Sequence, residues 1–209
     1  MLYTGAKITV KNDTLSKKEK SNLKDALQEQ LRPKPNSSFL GLRPRLYVYN
    51  ITKEPKKQKG IGYWLKYKIG EKPVLLGDVD REFNKKIIVN YSENKGFFNA
   101  EASSDTIAKN KKAQVLYTVK PGARYLISQV NFPVDSTVIN SEIQSIKDKS
   151  FLKAGNPFDL DVIKAERERI DDHLKNRGFY YFSPDNIIVQ ADSTVLKEPK
   201  VELFVKLKN

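Results

Sequence analysis

Asn94-Lys95-Gly96-Phe97-Phe98 returns further along the chain as Asn176-Arg177-Gly178-Phe179-Tyr180, and the fold turns on reading the two runs together. In each, an amphipathic helix must stop and the chain must leave as a strand within two residues. Glycine permits the positive φ of such a stop without a Cβ clash. The aromatic pair then opens the strand with one ring inward and the other outward. A single Gly-Phe-Phe is an ordinary helix stop, but here the flanks repeat too. Upstream, Asp78-Val79-Asp80 matches Asp159-Leu160-Asp161; downstream, Val115-Leu116-Tyr117-Thr118-Val119-Lys120 resembles Val201-Glu202-Leu203-Phe204-Val205-Lys206. Three matches in one order predict two copies of a unit.

Working outward, each copy reads strand–helix–helix–strand–strand. In the first, Tyr3 to Lys11 alternates, with Ala6, Ile8 and Val10 on one face. Asn12-Asp13-Thr14 is a turn and N-cap cluster. Leu15, Leu23, Ala26, Leu27 and Leu31 mark a helix that ends by Arg32, ahead of Pro33 and Pro35. Asp78-Val79-Asp80 opens a second helix with Val79, Phe83, Ile87, Tyr91 and Ile88 as its apolar stripe. Phe97 to Ile107 and Lys112 to Lys120 read as strands around a Lys109-Asn110-Lys111 turn. In the second copy, Tyr125 to Phe132 is a strand, and Ser136 or Thr137 caps a helix carrying Val138, Ile139, Ile143 and Ile146. Asp159 or Asp161 opens a helix ending at Arg177-Gly178, and Phe179 to Gln190 and Lys200 to Leu207 are strands. Residues 33–70 form an insertion between the helices of the first copy. It has two apolar-aromatic clusters, read as short helices or turns, joined by a basic loop from Lys53 to Lys59.

A chain of 209 residues suits two domains of about 100. With 39% hydrophobic residues it can build a core. No apolar run approaches the roughly 20 residues of a transmembrane helix, so this stretch is expected to be soluble. Its first residues do not read as a signal peptide. Without cysteine there is no disulfide, thiolate metal site or Cys nucleophile; with one histidine, His173, there is no multi-histidine metal site. The net charge of +13 first suggests nucleic acid or an anionic membrane surface. It is concentrated at one end. Residues 1–70 hold 16 Lys/Arg against 5 Asp/Glu, residues 71–121 hold 9 against 7, and residues 122–209 hold 13 against 13.

Gly155-Asn156-Pro157-Phe158-Asp159-Leu160-Asp161 followed by a helix ending in Asn176-Arg177-Gly178-Phe179-Tyr180-Tyr181-Phe182 resembles a POTRA domain of the BamA/TamA-type outer-membrane assembly proteins. The insertion is similar to that of the Bacteroidetes TamA-like lipoproteins. Its matching runs are Phe39 to Pro44, Tyr47-Val48-Tyr49-Asn50 and Gly60 to Leu65, with Gly70 to Leu76 beyond. The resemblance implies an α+β fold of two tandem modules, 1–121 and 122–209, each a three-stranded mixed sheet covered by two helices. It also implies a periplasmic setting at the outer membrane and a β-barrel following Asn209. A lipid anchor would lie upstream, and the partners would be unfolded outer-membrane protein clients, the chain's own barrel, and periplasmic or lipoprotein partners.

Catalysis finds little support. His173 reads as a surface residue near a helix C-terminus rather than a general base. The acid pairs Asp171-Asp172 and Asp78/Asp80 read as solvated faces. No phosphate loop or nucleophile elbow is present. No enzyme activity, cofactor or metal is expected. Two binding surfaces are candidates. Sheet edges can pair with client strands through main-chain hydrogen bonds. If the family's strand order holds, the edge residues are Phe97, Phe98, Asn99, Phe179, Tyr180, Tyr181 and Phe182, and a proline inside 179–190 weakens client capture. The alternative is that these edges are short and covered. In the insertion, Tyr47, Tyr49, Lys56, Lys57, Tyr63, Trp64 and Lys66 are candidates for contact with a membrane or partner. Packing against the domain is the other reading of these residues, and single-stranded nucleic acid the third. A basic α+β nucleic-acid-binding protein is therefore the competing function.

Overall fold

Residues 1–134, 137–194 and 198–208 are described by a computed structural model. Two three-stranded mixed sheets form, in an α+β arrangement. The first is built from β1 (Leu2–Val10), β2 (Glu101–Lys109) and β3 (Lys112–Lys120), in the order β1-β3-β2. β1 runs parallel to β3, and β2 antiparallel. The second repeats the pattern with β4 (Leu126–Asn131), β5 (Ile187–Asp192) and β6 (Lys200–Leu207), in the order β4-β6-β5. By compactness the chain falls into two units, Met1–Val89 with Glu101–Lys120, and Asn90–Ala100 with Pro121–Asn209.

Each central strand alternates strictly, because one of its faces is the core. In β3 the buried residues are Ala113, Val115, Tyr117 and Val119; in β6 they are Val201, Leu203 and Val205. β1 keeps its expected face: Ala6, Ile8 and Val10 pair with Val115, Tyr117 and Val119, on the buried side of β3. Gly5, at φ 131°, sits in a bulge between Tyr3 and Ala6, and the bulge shifts the parity so that Tyr3 joins that face. Tyr3 and Ile8 are buried, while Ala6 and Val10 are only half-buried.

The first helix of the first unit, α1 (Lys17–Gln30), starts one turn later than the Asn12-Asp13-Thr14 cluster. The Asn12 carboxamide holds the N–H groups of Thr14 and Leu15, and Ser16 forms the cap with Glu19 as a capping box. Leu23 and Leu27 face inward. The insertion between the helices contains α2 (Pro44–Ile51) and α3 (Ile61–Trp64), the latter running on as a π-helical turn over Leu65–Ile69. Buried Asn36 closes its neck, donating to the Lys72 carbonyl at 2.7 Å and accepting from the Val74 N–H at 2.9 Å.

The second helix, α4 (Arg81–Asn94), buries only part of the predicted stripe: Val79, just ahead of it, and Ile88 are buried, Ile87 and Tyr91 are half-buried and Phe83 is exposed. Its inward line also takes Asn84 and Ser92. The reason is local. The Asn84 carboxamide donates to the Arg32 carbonyl at 2.6 Å and accepts from the Arg32 N–H at 2.9 Å. A fully bonded amide can be buried where an apolar side chain would leave those two backbone groups unpaired.

In the second unit, α5 (Val138–Ser145) is capped by Thr137; Ser136 lies outside the described residues. Asp159 caps α6 (Leu160–Asn176). One core joins Ile143 of α5 and Ile163, Ile170 and Leu174 of α6 to Ile127, Ile187, Val201, Leu203 and Val205 of the sheet. His173 lies in the last turn of α6 and meets Glu142 at 3.0 Å, where Arg177 also binds at 3.1 Å. These contacts hold the Glu142 carboxyl below its ordinary pKa, the His173 hydrogen bond first among the causes.

Candidate functional site

Outer strand rims are where a sheet can accept a further strand, and the four here differ. The start of β1 is covered by the segment after the insertion: the Tyr3 N–H donates to the Val74 carbonyl and the Leu76 N–H to the Met1 carbonyl, both at 2.9 Å. The start of β4 is covered by the loop ahead of α6. The Ile127 N–H donates to Asn156 O at 2.8 Å, and the Gly155 N–H to Ile127 O at 2.7 Å.

β2 is an edge that defends itself. The two-residue turn Asn110-Lys111, with φ of 51° and 60°, closes the hairpin on the Lys109–Lys112 pair. Alternation along an antiparallel ladder then turns the N–H groups of Ala102, Ser104, Thr106 and Ala108 outward. The Thr106 N–H is taken by the Asp105 carboxylate at 2.7 Å. Glu101, Asp105 and Lys109 also place charge along this strand, a familiar means of discouraging edge pairing.

β5 has no such protection. Lys208 N–H donates to Asn186 O at 2.7 Å, just before the Ile187–Leu207 pair. The alternation makes Ile188 and Gln190 bond to β6 and turns the backbone of Ile187, Val189 and Ala191 outward. Ile187 confirms the direction, since its N–H reaches Pro184 O. Among the described residues no backbone group of another element meets Val189 or Ala191. Asp192 is the strand's one charge.

The predicted edge residues are not in strands at all. Phe97, Phe98 and Asn99 fall in the turn between Gly96 and β2, and Phe179, Tyr180, Tyr181 and Phe182 in the turn ahead of β5. After the glycine stop, the chain spends its first aromatics on packing and begins its strand several residues later. Phe97 is buried under the Arg124 guanidinium, 5.5 Å from its ring. Phe98 stacks on Tyr125 at 4.8 Å and Phe158 at 4.9 Å, and Asn99 reaches the Tyr125 hydroxyl at 3.4 Å. Phe179 and Phe182 pack on the core of the second unit, while Tyr180 and Tyr181 are exposed. These four line a cleft of about 440 Å³ with Ile139, Asn186, Leu207 and Lys208, at the foot of β5. The aromatic run therefore lies at the foot of β5 rather than on its rim. Val189 and Ala191, which the sequence reading missed, carry outward N–H groups that no backbone group of the described residues meets. Their signal is the count of residues back from the β5–β6 pairing.

The insertion sorts its candidates into two groups. Lys66 is buried: its ammonium donates to Thr52 O at 2.9 Å, pairs with Glu54 at 3.1 Å and lies 4.6 Å from the Tyr49 ring centroid. Tyr49 and Tyr63 are half-buried and pack on Tyr67 at 6.1 and 5.0 Å. Lys66 as an outward contact is thus corrected. It is the internal cation of a small aromatic cage, placed there because a lysine stem can be buried when its charge is fully met. The Tyr67 hydroxyl bonds Glu54, which pushes the phenol up to about 12 and, with Lys66, holds the Glu54 carboxyl below its usual value. Tyr47, Trp64, Lys56 and Lys57 are exposed. Among the described residues no cluster of His, Cys, Asp and Glu could hold a metal ion, and no helix is long and apolar enough to cross a membrane.

No family model matches the chain, and no curated protein does. Solved structures similar to it include POTRA3–5 of Haemophilus influenzae BamA, at 17% identity and a TM-score of 0.39, covering 100% of this chain and 97% of that one. BamA from Haemophilus ducreyi lacking POTRA domains 1–3 matches at 11% identity and 0.49, covering 100% of this chain and 29% of that one. POTRA1–2 of the periplasmic domain of Omp85 from Anabaena matches at 13% and 0.45, covering 100% and 96%.

Proposed function

We propose that this chain is a periplasmic POTRA region of an Omp85-type outer-membrane assembly or translocation factor, made of two modules, 1–121 and 122–209. In this reading it is a non-enzymatic scaffold. It takes client polypeptides by strand addition and passes them to a β-barrel that follows in the chain. Support comes from the repeated strand–helix–helix–strand–strand order and the motifs around Gly96 and Gly178. The observation that carries the reading is the outward backbone of Val189 and Ala191, unmet among the described residues, with the aromatic cleft at the foot of the strand. Main-chain pairing there is nearly indifferent to client sequence, and the cleft at the foot of β5 can hold an apolar side chain.

The test compares two prolines. Ala191→Pro removes an outward N–H and leaves the ladder to β6 intact, so the fold is expected to survive. Binding of an unfolded barrel-strand peptide should weaken roughly fivefold to tenfold, the worth of a lost hydrogen bond and a steric block. Gln190→Pro removes an N–H bonded within the sheet and should lower stability instead. A folded Ala191→Pro protein that binds the peptide as well as the parent would refute strand addition at β5.

A further inference from the structure

We propose that the basic aromatic insertion docks on an anionic lipid bilayer surface, with the turn Phe39–Leu42 as its inserted tip. The Phe39 N–H donates to Leu42 O at 2.8 Å and the Leu42 N–H to Phe39 O at 3.0 Å, closing a turn on Leu40-Gly41. Both central residues lie at positive φ, 48° and 78°. Asparagine and glycine suit such a turn; a leucine is strained in it. Yet Leu40 is 86% exposed, so its side chain contributes nothing to the fold. A strained backbone that presents an apolar side chain to solvent indicates a use outside the fold. Phe39 and Leu42 beside it are exposed as well, as are Tyr47, Ile61 and Trp64.

Charge selects the occupant. Between residues 39 and 75 there are nine Lys/Arg, one of them the buried Lys66, and two Asp/Glu. Both acids are engaged within the unit, Glu54 by Tyr67 and Lys66, and Glu71 by Ser37. The surface is therefore cationic as well as apolar. Protein interfaces are depleted in lysine. Single-stranded nucleic acid would use the rings but has no site for Leu40, Leu42 and Ile61. An anionic bilayer takes all three components: aliphatic side chains below the headgroups, Trp and Tyr among them, and ammonium groups at the phosphates. This inference does not depend on strand addition at β5.

Trp64 is the chain's single tryptophan, so its fluorescence reports this surface without labelling. Adding phosphatidylglycerol-rich vesicles to the whole chain is expected to shift the emission to the blue and to sediment the protein, less so at high salt. Pure phosphatidylcholine vesicles should do neither. Leu40→Asn relieves the turn, so it should fold at least as well as the parent while binding vesicles about tenfold more weakly. Lys56→Glu with Lys57→Glu, on the exposed loop, should weaken binding by at least as much. Unmoved Trp64 emission, full vesicle binding by Leu40→Asn, or RNA binding with a steep salt dependence and no vesicle binding would each overturn the proposal.

Discussion

Gly96→Ala is expected to destabilise the chain by about 3 kcal/mol or more, and Gly178→Ala by only ~1–2 kcal/mol. The two glycines occupy equivalent places in the repeat, and both need positive φ, at 86° and 96°. Alanine pays that conformational cost at either site. The difference lies in what surrounds them. A Cβ at Gly96 would sit 2.7 Å from the Phe158 carbonyl oxygen and 3.2 Å from Phe158 Cβ, whereas at Gly178 nothing lies within 4 Å. The Phe158 oxygen cannot move aside freely. The Tyr125 N–H donates to Gly96 O at 2.8 Å, and the Phe158 N–H to Tyr125 O at 2.9 Å, so three backbone segments are stacked by hydrogen bonds. Urea denaturation of the two variants decides the matter. Equal losses would mean that the close approach at Gly96 carries no energy.

Arg169→Leu should cost about 3–5 kcal/mol. Glu166 is fully buried on α6, and Arg169, one turn on, grips its carboxylate with two bonds of 2.9 and 2.7 Å. The Phe151 N–H supplies a third at 2.9 Å, and the Arg169 guanidinium rests 5.9 Å from the Phe151 ring centroid. Removing the arginine strands a charge inside the second unit with one backbone donor. Removing both charges strands neither. The double variant Glu166→Leu with Arg169→Leu is therefore expected to recover most of the loss, leaving a large coupling energy in the double-mutant cycle. Additive losses would show that the pair is solvated in solution.

The punctuation of the fold was legible in the sequence. The two Asn-x-Gly-aromatic stops are real helix ends, the acids at 159 and 161 open a helix, and the alternation in β3 and β6 marks the central strands. What pattern reading misplaced were residues whose polar atoms find partners far away in the chain. Asn84 reads as solvent-facing by type, and becomes a core residue because the Arg32 peptide lies across from it. Lys66 reads as a surface cation, and is buried because Thr52, Glu54 and Tyr49 together meet its charge. The aromatic runs after Gly96 and Gly178 read as strands by propensity, yet Phe97, Phe98, Phe179 and Phe182 pack from turns while Tyr180 and Tyr181 stay exposed, and the strands begin later, at Glu101 and Ile187. The open rim of β5 was out of reach for the same reason. It is defined by hydrogen-bond parity with β6, which no single segment encodes.

The central claim is that β5 accepts a client strand through its outward backbone. Amide hydrogen exchange at Val189 and Ala191 measures this directly, with and without an unfolded barrel-strand peptide. In the free protein both amides should exchange quickly, while those of Ile188 and Gln190, bonded to β6, are protected. Added peptide should slow Val189 and Ala191 together by roughly tenfold or more at saturation. Saturating peptide that leaves both amides exchanging at their free rate would contradict the account.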